Sequence, residues 1–279
     1  MLTIEDLLTH PDLPSLPEAV IRLNELISSD APIDSIAAVI QNEPALTLRT
    51  LELANSAWYK REKTIQSVNE AISVIGFTAL YQLIFATSVT RVFRGIDSDL
   101  IDMQQFWQQS VRSATVAQTL SSRLDIPQQH LFTAGLIMYI GKLILVTTAP
   151  FITYQIYKKC QAESIPLSIA EHDRLGFNHA DVSAAIIEKW KMPASMHMPI
   201  KYYLQPAQAP EQYQAVAALL HVAHHIRCTQ YAAEPAIIET ADHVDPPILN
   251  MINISDALFP KLAESASNLY EEALSLLGL

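Results

Sequence analysis

An all-α fold is predicted by three features of the chain. Only six of its 279 residues are glycine, which leaves little turn material for a β-rich fold. Apolar residues recur at intervals of three and four, the period of a helix with one buried face. Serine is followed three residues later by glutamate at Ser15 and Glu18, Ser67 and Glu70, and Ser168 and Glu171. That spacing predicts reciprocal capping at three helix starts, with a hydroxyl on an orphan amide and a carboxylate reaching back.

Taken in order, Val20, Leu23 and Ile27 form the first apolar face after Pro17, and Ile36, Val39 and Ile40 form the second. Pro44 then opens a helix through Leu46, Leu48, Leu51 and Ala54. Gly76 is expected to stop the helix begun at Ser67, Gly95 the one after it, and Gly176 the one begun at Ser168. A long helix is expected through Phe106, Val111 and Ala117, and another from the cap Asn178 to Trp190 and Pro193. Glu171 is read as a capping residue. The last helices are expected at 212–228 and at the C-terminus, where Leu262, Leu269, Leu274 and Leu277 pack back on the fold. The expected organisation is an N-terminal helical subdomain at 1–95, a second helical subdomain at 96–205 and a helical extension at 206–279.

Composition excludes several functional classes. Half the chain is hydrophobic and 17% is charged, which does not suit disorder or a coiled coil. The net charge of −11 opposes direct binding to nucleic-acid phosphates. Residues 71–90 carry no charge over about a bilayer's length, but Gly76 splits them and Ser73, Gln82 and Thr87 interrupt them, so a buried pair of helices is expected. Lys142 and Pro150 interrupt the stretch 131–157 in the same way, and no membrane span is expected. Cys160 and Cys228 show no metal or redox spacing, and residues 1–20 carry four carboxylates in place of a signal peptide. The expected location is the cytoplasm.

A series of motifs runs in order along the first two thirds of the chain. They are Leu13-Pro14-Ser15-Leu16-Pro17, Glu43-Pro44-Ala45-Leu46, Leu53-Ala54-Asn55-Ser56-Ala57-Trp58-Tyr59, and Ile65-Gln66-Ser67-Val68 leading to Ile75-Gly76. Phe106-Trp107, Ala134-Gly135-Leu136, Ile140-Gly141-Lys142, Glu171, Gly176, His179, Trp190 and Pro193 follow. In this series the chain resembles the HDOD domain, a bacterial signal-transduction relative of the HD-domain metal-dependent phosphohydrolases, over about residues 11–205. The resemblance implies a multi-helical HD-like bundle. The residues allow a plainer reading beside it: Asn55 and Ser56 as a helix cap, and Trp58 and Tyr59 shielded by a solvated basic loop with Lys60, Arg61 and Lys63.

The resemblance also locates the metal site of the phosphohydrolases, and this chain departs from it. Where such relatives have Gly-Leu-Leu-His-Asp-Ile-Gly-Lys, residues 135–142 place Met138 and Tyr139 at the His-Asp pair. A thioether and a protonated phenol replace neither ligand for a hard cation. Gln108, Gln109 and Ser110 stand where an upstream histidine is implied, Tyr202 and Tyr203 where many relatives have two histidines, and His224 where an aspartate often lies. His179 alone matches. The expectation is a cleft formed by Gln109, Met138, Tyr139, Lys142, His179, Tyr202, Tyr203 and His224, with no catalytic residue, no metal and no cofactor. A filled core at the same place is the competing expectation.

The function this implies is that of a non-catalytic signalling module that binds a partner protein through the cleft. The chain is too short for a fused receiver or cyclic-dinucleotide module, so the partner is expected in trans, and the oligomeric state is left open. Two other readings are retained. One is a divergent metal-dependent phosphohydrolase that uses His179 with His221, His224 or His225, which lie at helical i, i+3 and i+4 spacing. The other is a nucleotide-type sensor with Lys142 or Arg174 as an anion contact.

Overall fold

The computed structural model describes residues 2–29, 31–55, 63–124, 126, 130–226, 246–254, 269–275 and 277–279. Every regular element among them is helical. The elements are α1 (Ile4–Leu8), α2 (Glu18–Ser28), α3 (Ile33–Asn42), α4 (Pro44–Ala54), α5 (Val68–Ile75), α6 (Phe77–Phe93), α7 (Met103–Leu124), α8 (Leu131–Ile137), α9 (Ile140–Thr148), α10 (Pro150–Glu163), α11 (Leu167–Leu175), α12 (His179–Lys189), α13 (Ala194–Tyr202), α14 (Glu211–His225) and α15 (Pro246–Met251), with a short 3₁₀ turn at Pro206–Gln208. Residues 269–275 are also helical.

The chain divides into two compact units, one of residues 1–13 and 96–270, the other of residues 14–95 and 271–279. This differs from the expected division at both ends. The segment 206–279 is not a unit of its own, because α14 packs against α7, α13 and α8 inside the larger unit. The first thirteen residues belong to that unit too, where α1 lies on α9 and α12 and the Lys189 ammonium reaches the Leu8 carbonyl at 2.6 Å.

In the smaller unit, α2 to α6 pack in sequence around Leu53, Ala54, Ile65 and Ala71. Gly76 ends α5 and starts α6 with φ of +82°, a left-handed conformation that glycine adopts without a side-chain clash. Asn55 caps α4 as expected and does more. Its side chain donates to the Leu51 and Ile65 carbonyls at 2.8 and 2.9 Å and accepts the Ile65 amide at 2.8 Å, so it fastens the helix end to the chain ten residues later. Ser56, Trp58, Tyr59, Lys60, Arg61 and Cys228 lie outside the described residues.

Of the three expected capping pairs, one forms its cap. Ser67 accepts the Glu70 amide at 3.2 Å, while the Glu70 carboxylate goes to the Gln66 amide at 3.1 Å. Helix α2 begins at Glu18 after Pro17, two residues beyond Ser15, and α11 begins at Leu167, so Ser168 lies within it. At each of these two starts a proline, Pro17 or Pro166, with φ held by its ring, stands at the cap position in place of the serine. At α12 the expectation holds: Asn178 accepts the Ala180 and Asp181 amides, and Asp181 accepts the Asn178 amide in return.

In the larger unit, α7 packs along α8, α9 against α12, and α12 against α13. Two glycines set the closest approaches. A Cβ at Gly135 would lie 2.8 Å from the Ala114 Cα on α7. A Cβ at Gly141 would collide with the His179 carbonyl and sit 2.9 Å from the Ser183 amide on α12. Residues 131–148 are apolar and long enough to cross a bilayer by length and composition, and 83% of that stretch is buried inside the protein.

Candidate functional site

Five helices and the turn before α9 bring their polar side chains to one place in the larger unit. Helix α7 contributes Ser113, one turn past Gln109, and the turn between α8 and α9 contributes Tyr139. Helix α11 brings Glu171, α12 starts at His179, α13 is capped by Tyr203, and α14 carries His221, His224 and His225 near its end. Ser113, Tyr139, Glu171, His179 and Tyr203 are each at most 2% exposed.

One hydrogen-bond chain runs through His179. A Glu171 carboxylate oxygen lies 2.6 Å from Nδ1 of the ring and also takes the His179 amide at 2.9 Å. Because a carboxylate only accepts, Nδ1–H donates to it, and in the neutral ring Nε2 then receives the Tyr203 hydroxyl at 2.8 Å. Glu171 therefore does not cap its own helix. It bridges from α11 to the first turn of α12, which satisfies a buried carboxylate with two donors.

The second chain runs through Tyr139. Its hydroxyl lies between Ser113 Oγ at 2.9 Å and His224 Nδ1 at 2.7 Å. The two chains interlock through their rings, Tyr139 edge-on to Tyr203 at 6.1 Å and Tyr203 edge-on to His224 at 5.4 Å. The Lys142 ammonium sits 5.3 Å from the centre of the Tyr139 ring, a cation–π distance. Beneath them Ser183 accepts the Gly141 amide at 2.8 Å, and its hydroxyl faces the Met138 and His179 carbonyls at 2.8 and 2.9 Å.

The expected cleft residues thus fall into two groups. Met138, Tyr139, His179 and Tyr203 are packed interior, Gln109 and Lys142 are half-buried, and none of these six lines the cleft of about 850 Å³ bordered by α11, α13 and α14. Tyr202 and His224 do line it. His221 and His225 border it as well, and the Nδ1–H of each donates to a carbonyl, that of Tyr203 and that of His221 respectively, both at 2.8 Å. Arg174 and Lys142, the anion contacts expected from sequence, are not part of its wall. Among the described residues, no three His, Cys, Asp or Glu side chains are grouped to hold a metal ion.

Sequence reasoning missed Ser113 and Ser183, and it gave Glu171 a different partner. The available signal was helical spacing: Ser113 stands four residues after Gln109 and Ser183 four after His179, on the same helix faces.

The model of the HDOD domain family matches residues 13–206, well over half of the chain. The chain belongs to the HDOD domain family. An HDOD protein of unknown function from Geobacter sulfurreducens superposes with a TM-score of 0.76 at 22% identity, over 98% of this chain and 99% of that one. A Shewanella amazonensis protein named as a phosphohydrolase candidate superposes with a TM-score of 0.73 at 21% identity, over 97% and 98% of the two chains. A curated Treponema pallidum protein, itself uncharacterised, is 23% identical over 218 residues. That match takes in 76% of this HDOD chain and 42% of the relative, so the chain spans less than half of its length.

Proposed function

We propose that this HDOD chain is a non-catalytic signal-transduction module of the cytoplasm that binds a partner protein on the cleft-bearing face of its HD-like bundle. The observation that carries the proposal is the Tyr139–Tyr203 pair. At the positions that the HD resemblance assigns to metal ligands stand a buried thioether and two phenols, each hydroxyl held by a histidine. These groups do not fit a divalent cation, which calls for carboxylates and imidazole lone pairs converging on one point. The one matching histidine is also engaged, with Glu171 on one nitrogen and Tyr203 on the other.

The partner reading is supported by the surface near the cleft. Ile169 on α11 is exposed and forms part of the cleft wall. A large apolar side chain presented to solvent in a concavity suits a protein ligand.

The test has two arms. Hydrolysis of p-nitrophenyl phosphate and its diester, assayed with Mn²⁺, Fe²⁺, Ni²⁺ and Mg²⁺, is expected to stay at the protein-free blank. A metal-dependent rate lost in His179→Ala would overturn the proposal and favour a phosphohydrolase. Cross-linking in cells is expected to join the wild-type chain to a protein that the folded Ile169→Asp variant no longer captures.

A further inference from the structure

We infer that the cleft between α11, α13 and α14 is a binding site for a small ligand carrying an oxyanion group, a phosphate, sulfate or carboxylate. The cleft of about 850 Å³ is of the size that encloses a small molecule. Its charge character follows from which of its polar groups are already engaged. Both carboxylates in the wall have partners: Asp181 accepts the Asn178 amide at 3.0 Å, and Asp173 pairs with Lys159 at 3.2 Å. The basic side chains that α11 and α13 bring to the wall are not so engaged. Lys201 on α13 has no ion-pair partner among the described residues, and its ammonium lies 5.6 Å from the centre of the Tyr202 ring. His172 on α11 has no hydrogen-bond partner among the described residues.

On α14, His225 donates Nδ1–H to the His221 carbonyl, and His221 donates likewise to Tyr203. The His225 ring, held this way, presents Nε2 as an acceptor when neutral and as a donor to an anion only once protonated. The titratable groups facing the site are therefore His172 and Asp173 from α11, Asp181 from α12, Lys201 and Tyr202 from α13, and His221, His224 and His225 from α14. The Asp173 charge is met by Lys159, and protonation of the imidazoles adds positive charge to a wall that already presents Lys201. Anion binding then strengthens as the pH falls. His224 connects the site to the interior, because its ring borders the cleft while its Nδ1 holds the Tyr139 hydroxyl.

The experiment titrates the full chain with sodium sulfate, a dianion throughout the range used, against sodium chloride at matched ionic strength, read by isothermal calorimetry and by histidine ring resonances. Saturable sulfate binding is expected, about fivefold or more tighter at pH 6 than at pH 8, as for charge-assisted hydrogen bonds that form once the rings are protonated. Lys201→Met is expected to weaken it about tenfold at both pH values. His172→Gln with His225→Gln is expected to remove most of the pH dependence. Lys201 and His172 are exposed and His225 is half-buried, so the variants are checked for an unchanged circular-dichroism spectrum and melting temperature before binding is compared. Equal responses to chloride and sulfate would overturn the inference, and so would undiminished sulfate binding in folded Lys201→Met.

Discussion

At Gly141 a single hydrogen atom is the condition for two helices to touch. The Ser183 hydroxyl takes the Gly141 amide while the His179 carbonyl occupies the space a Cβ needs, so Gly141→Ala must push α9 away from α12 or lose that hydrogen bond. It is expected to destabilise the fold by about 3 kcal/mol, as overpacking does, read from the urea midpoint. Glu171→Gln probes the neighbouring contact: an amide can still accept the His179 amide but has no negative charge for the ring N–H, and a loss of about 2 kcal/mol is expected. Asn55→Ala removes a cap and a long-range clamp together, and should likewise cost about 2 kcal/mol. Tyr139, His179, Tyr203 and His224 were singled out as residues from the sequence. Their pairings were not, because Glu171 reaches His179 across eight residues and Tyr139 reaches His224 across 85, distances that helical periodicity does not encode.

Helix boundaries test how local the information in a sequence is. Gly76, Gly176 and Asn178 were readable because each acts on its own backbone, two through φ of +82° and +83° and one through amides two and three residues on. The Ser15 and Ser168 pairs matched the same kind of pattern and lost to the prolines beside them, Pro17 and Pro166, which occupy the cap positions. Ser67→Ala should therefore cost about 1 kcal/mol, while Ser15→Ala stays within about 0.5 kcal/mol of wild type. Equal losses in urea melts of the two variants would contradict the assigned starts. Gly76→Ala meets no neighbour within 4 Å, so its expected cost of about 1.5 kcal/mol is that of the left-handed backbone alone. Gly76 and Gly141 thus look alike in sequence and are required for different reasons, one for conformation and one for space.

For the whole molecule, helical content and burial of the apolar stretches follow from composition and period, whereas the division into units does not, since 1–13 and 271–279 each pack with segments remote in sequence. Acid sensitivity is likewise a property of the assembled fold. His130 is 8% exposed, and burial lowers its pKa. The His197 pKa is lowered first by burial and further by Lys201, with Glu188 opposing. A histidine that resists protonation when folded binds its proton more readily in the unfolded chain, so unfolding takes up protons as the pH falls through the ordinary imidazole range of about 6.5. Stability from these groups is full above that range, is lost as the pH drops through it, and levels off below the lowered folded values. The melting temperature is expected to fall between pH 7 and pH 5.5, and the fall should be shallower in a His130→Asn, His197→Gln variant. Asparagine suits position 130, where the backbone is left-handed with φ of +71°. An unchanged slope in that variant would contradict the assignment of the acid sensitivity to His130 and His197.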